Sequence, residues 1–139
     1  MSDPTTILLQ GSRILETELR PLGFKFIFGA AGKGSGGVFA TGDFIRDDRR
    51  LELHFRQSLG LVRYHIGTSS AAHDAYMREL GVRSECRYPS FSGDPLVAFH
   101  DLAHDLKFAV DFTNGDAVVL LRAAMAEARV RPVGRPALP

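Results

Sequence analysis

The side chains best placed to do chemistry in this chain lie between Leu51 and Ile66, where Glu52, His54 and Arg56 alternate with Leu51, Leu53 and Phe55. Further on, Arg63 and His65 alternate with Val62, Tyr64 and Ile66. A period of two puts the charged set on one face of a strand and the apolar set on the other. The stretch reads as a β-hairpin turning near Ser58, Leu59 and Gly60, with its apolar face on a core. Pairing Arg56 with Leu61 sets His54 opposite Arg63, Glu52 opposite His65, and Phe55 against Val62. A slip of one residue would bury the charges. Arginine forks bind carboxylates in pairs, so Glu52, His54, Arg56, Arg63 and His65 form a candidate binding surface for an acidic partner. The plain alternative is a solvated face held by cross-strand ion pairs, each worth little.

Other groupings fall short of a site. Gly32, Gly34 and Gly37 match G-x-G-x-x-G around Lys33. A dinucleotide loop of that form must open a helix, and Val38, Phe39 and Ala40 read as strand. The glycines are expected to make a flexible hairpin connection, with anion binding by its backbone amides the lesser alternative. His100 and His104 in HDLAH share a helix face at i and i+4, as metal ligands do. Lys107 and Asp111 continue that polar stripe and no third ligand is evident, so a solvated helix flank is expected and no metal. His73 and Asp74 are adjacent and point about 100° apart on a helix, which rules out a relay between them toward Ser70. Cys86 lies between Glu85 and Arg87, whose charges push its pKa in opposite directions. Without a convincing partner histidine it reads as a bystander thiol, and no cofactor is implied.

The elements that carry these residues follow from periodicity. Ile7, Leu8, Gly11, Ile14, Leu15 and Leu19 make one helical stripe, predicting a helix from Thr5 to Arg20. Asp3 and Pro4 suit its start, and Pro21 and Gly23 end it. Strands are predicted at Phe24–Phe28, at Val38–Ile45 and in the two arms of the hairpin. A helix capped by Ser69 or Ser70 is predicted to run to Leu80. A long helix opened by Asp94 and Pro95 is predicted to reach Phe112, with Leu96, Phe99, Ala103, Leu106 and Val110 inward. A last helix spans Asp116 to Ala128. The expected fold is α+β: an N-terminal helix, a four-stranded antiparallel meander, and three C-terminal helices packed on one sheet face. Residues 1–129 read as a single domain, and the proline-containing tail from Val130 to Pro139 as disordered.

Bulk properties narrow the classes. A chain of 139 residues buries roughly two-thirds of its unfolded surface without staples. A net charge of +1 gives no general pull toward nucleic acid or membranes. A single cysteine excludes an internal disulfide. The first residues lack a basic and apolar leader, and no apolar run reaches the ~20 residues of a membrane helix. A cytoplasmic location is expected.

Leu19, Pro21, Leu22, Gly23, Phe24 and Lys25, and later Gln57 and Ser58, carry a family resemblance over the first half of the chain. The layout resembles small bacterial proteins of the DUF4304 type, some of them suspected immunity proteins of toxin systems. No residue role carries over from that resemblance. With no catalytic constellation in view, the expected function is a non-enzymatic protein-binding module, of the immunity-inhibitor kind. The alternatives are a small hydrolase using histidines or a metal with Asp101, Asp105 or Asp111, and a small-ligand or anion-binding protein.

Overall fold

A computed structural model describes residues 3–34, 37–89, 92–115 and 117–134. Helix α1, Pro4–Leu19, is capped by Asp3, whose Oδ1 accepts from the Thr6 amide at 2.8 Å. It buries Ile7, Leu8, Leu15 and Leu19, as its stripe predicts. The turn that follows is held by Gly23 at φ 92, a left-handed conformation that favours glycine. Arg46 clamps it by donating to the Leu22 carbonyl at 2.6 Å and lying over the Phe24 ring. The Pro21–Lys25 motif is therefore a structural corner.

Five strands follow, β1 (Lys25–Gly34), β2 (Gly37–Arg46), β3 (Arg49–Phe55), β4 (Leu59–Ile66) and β5 (Ser69–Ala72), paired antiparallel in chain order. The four-stranded expectation is corrected by β5. Serine and alanine have weak strand propensity and serine is a good helix cap, which is why the sequence reads as a helix start there. The tight turn at Gly67, φ 59, returns the chain onto β4, with Ser69 opposite Ile66. The glycine-rich segment is also strand. A Cβ on Gly32 would come 3.3 Å from the Phe39 ring, so this glycine makes room for an aromatic across the hairpin.

The helical part comprises α2 (His73–Glu79), α3 (Pro95–Asp105), a short α4 (Val110–Asn114) and α5 (Val118–Gly134). The predicted long helix thus breaks after Asp105, and Val110 is exposed instead of joining the core. The last helix continues to Gly134, into the stretch read as a tail, and 135–139 lie outside the described residues. α1 packs on α3 and on β1 and β2, while α2 and α5 pack on β4 and β5. The α1–α3 approach is close enough that a Cβ on Gly11 would collide with the Phe99 ring. The core between helices and sheet contains Phe44, Leu51, Leu53, Phe55, Val62, Tyr64, Phe99, Leu102 and Leu121, all buried. Among the described residues no helix is long and apolar enough to cross a membrane.

Candidate functional site

The predicted face exists, with a different register. Glu52 stands opposite Arg63, Leu53 opposite Val62 and His54 opposite Leu61, a shift of two residues from the predicted pairing. An even shift keeps every side chain on its face. Its source is an irregularity after His54, where Phe55 pairs with Leu59 and Gly60 is left over, so that Leu59 and Val62 both turn inward.

On the outer face Glu52 is the centre. Nε2 of His54 and Nε2 of His65 each donate to one of its oxygens at 2.7 Å. Arg50, bonded to Asp43 at 3.0 Å, adds a cation 3.9 Å from the same carboxylate. Burial by itself raises the Glu52 carboxyl, but the bonds from His65 and His54 outweigh it and leave the pKa below its ordinary value. Side-chain exposure is 22% for Glu52, 18% for His65 and 44% for His54, so the cluster is ordered yet reachable.

Arg56 and Arg63 are not drawn into it. Arg63 Nε meets Ser70 Oγ at 3.3 Å, and the Arg56 guanidinium lies 5.6 Å from the Phe39 ring centre. Neither meets a carboxylate among the described residues. Beside Arg56 a depression of about 640 Å³ is lined by Phe39, Thr41, His54, Gln57, Ser58 and Leu61. Asp43 and Arg50 belong to the same face and were legible from strand parity once β2 was paired with β3.

A second constellation lies inside. Asp105 is 0% exposed and its carboxylate accepts four hydrogen bonds: from Arg87 N (2.8 Å), Tyr88 N (2.9 Å), His104 Nδ1 (2.8 Å) and His73 Nε2 (3.0 Å). The Tyr64 hydroxyl lies 2.7 Å from His73 Nδ1. Burial pushes the Asp105 carboxyl up, and the bonds from His73, the Arg87 amide, His104 and the Tyr88 amide together bring it down to about 2. Cys86 lies against this group, its thiol pushed up to about 11 by burial and then by the Asp105 carboxylate.

His73 therefore pairs with Asp105 from a distant helix, while Asp74 turns to Arg78 and Arg83. His100 is exposed and His104 turns toward Asp105, so the i, i+4 pair does not converge. The inner group also lacks the order of a nucleophilic relay. Both His73 nitrogens are taken by Tyr64 and Asp105, and the thiol sits beside the carboxylate, raised rather than activated.

No protein-family model, curated protein or solved structure matches this chain.

Proposed function

We propose that this chain is a non-enzymatic protein-binding module that docks acidic groups of a partner on the uncovered outer face of its sheet, as an immunity-type inhibitor would. The observation that carries this reading is the pair Arg56 and Arg63. Both stand on the side of the sheet opposite the buried core residues, and neither meets a carboxylate among the described residues. Charge complementarity at such a face steers association and selects partners, and arginine is enriched where interfaces derive their energy. The ordered Glu52–His54–His65 cluster beside them limits the side-chain entropy lost on docking. The family resemblance of the first half points the same way.

The test is a titration of the co-purified and identified partner with the double variant Arg56→Glu, Arg63→Glu. Affinity is expected to fall by about a hundredfold or more, since breaking close interfacial charge pairs costs about 2–5 kcal/mol, while the circular dichroism spectrum and melting temperature hold. Unchanged affinity in a folded variant overturns the reading.

The depression beside Arg56 favours a second reading, a small carboxylate ligand. Its volume of about 640 Å³ lies in the range of about 300–1,000 Å³ typical of ligand sites, with one aromatic wall, Phe39, and the Arg56 guanidinium over it. A small-molecule adduct in the native mass spectrum of protein from its own host, with no co-purifying chain, would favour that reading over the first.

A further inference from the structure

We infer that His73, Cys86 and Asp105 form a buried binding site for one divalent transition-metal ion of the zinc type. Three donor atoms of three kinds, an imidazole nitrogen, a thiol sulfur and a carboxylate oxygen, lie within 4.8 Å of one another. They come from the start of α2, from the loop before α3 and from the end of α3, so an ion would tie three separate segments together. Nitrogen, sulfur and carboxylate oxygen are the donors zinc takes, at about 2.0–2.3 Å in tetrahedral geometry.

The distances suit an exchange of a proton for a metal. His73 Nε2 and Asp105 Oδ2 are 3.0 Å apart across a hydrogen bond. Two tetrahedral donors about 2 Å from an ion stand about 3.3 Å apart, so this pair needs only a few tenths of an ångström of separation. The Cys86 sulfur, within 4.8 Å of the other two donors, must close on the ion. The supporting shell is already built. The Tyr64 hydroxyl faces His73 Nδ1 and can accept as well as donate, so the ring hydrogen moves to Nδ1 and frees the Nε2 lone pair. The three remaining bonds to Asp105, from His104 and the amides of Arg87 and Tyr88, stay in place and orient the carboxylate.

Charge also balances. A divalent ion, one carboxylate, one thiolate and one neutral imidazole sum to zero, which a largely buried site tolerates. The half-buried side at Cys86 leaves room for a water as the fourth ligand. The thiol S–H bond breaks as the sulfur–metal bond forms, and that single proton leaves to solvent. In the absence of an ion the Cys86 thiol donates to the Val82 carbonyl at 3.5 Å, a bond that the thiolate gives up to the metal. Cys86 is half-buried, so an ion can reach the site through it.

Tag-free full-length protein, stripped with chelator, is titrated with Co²⁺ and then with Zn²⁺. The expected result is one equivalent of Co²⁺, with tetrahedral ligand-field bands and a thiolate-to-cobalt charge-transfer band in the near ultraviolet, bleached by one equivalent of Zn²⁺. Affinity should drop about tenfold for each pH unit lowered, as release of one thiol proton requires. Cys86→Ser should lose the charge-transfer band, and Tyr64→Phe should weaken Zn²⁺ binding about 10–100-fold through His73. Weak octahedral spectra, binding unaltered in Cys86→Ser, or no saturation at one equivalent would overturn the site and leave a purely hydrogen-bonded cluster. The wild-type spectrum decides even where a variant fails to fold.

Discussion

Glu52 and Asp105 each accept hydrogen bonds from two histidines, His54 and His65 in one case, His73 and His104 in the other. The two groups lie on opposite sides of one sheet, and neighbouring residues of β4 serve both: His65 faces outward to Glu52, Tyr64 inward to His73. The outer carboxylate keeps contact with water, and two arginines of its face, Arg56 and Arg63, meet no carboxylate among the described residues. The inner one has no solvent contact and also accepts two backbone amides. The same chemistry thus does different work at different depths. Water screens the outer pairs, so they contribute little to folding and stay available to a partner. The inner carboxylate cannot fall back on water, so each of its partners is needed.

Removing the carboxylates should separate the two most clearly. Asp105→Ala leaves two imidazoles and two amides without their acceptor, and urea unfolding should register a loss of about 3–5 kcal/mol. Acid titration gives the next largest effect. A folded-state pKa of about 2 against an ordinary 3.8 means Asp105 stabilises the fold fully above its unfolded value. That contribution, about 2 kcal/mol, is lost as the pH falls from about 5 toward 2, and Asp105→Asn should flatten this part of the stability profile. Tyr64→Phe, which removes the hydroxyl facing His73 Nδ1, should cost about 1–3 kcal/mol by the same unfolding measurement. Glu52→Gln should cost less than about 1 kcal/mol. A cost for Glu52→Gln equal to that of Asp105→Ala would erase the distinction between the two clusters.

What could be read in the sequence divides along the same line. The alternation of Leu51, Leu53 and Phe55 with Glu52, His54 and Arg56 places the outer face correctly because period two survives an even shift of register. The register itself depends on how the chain turns at Gln57 and Ser58 and on the extra residue at Gly60, which parity does not encode. The inner cluster is harder to see. His73, Cys86 and Asp105 are far apart in the chain, and Asp105 falls beside His104 and Lys107 in what reads as a polar flank. The signal was present: Ala98, Leu102 and Asp105 recur at i, i+4 and i+7, so Asp105 shares the buried stripe. An aspartate in that position calls for partners, and only the tertiary fold supplies them.

The proposed docking of a partner on the outer face of β2, β3 and β4 can be read out residue by residue. Amide chemical-shift mapping of the isotope-labelled chain, with and without the purified partner, tests it most directly. The largest perturbations are expected at Thr41–Asp43, Arg50–Arg56 and Leu61–His65, with α1, α3 and α5 quiet. Perturbations concentrated on the helices, with these strands unmoved, would contradict it.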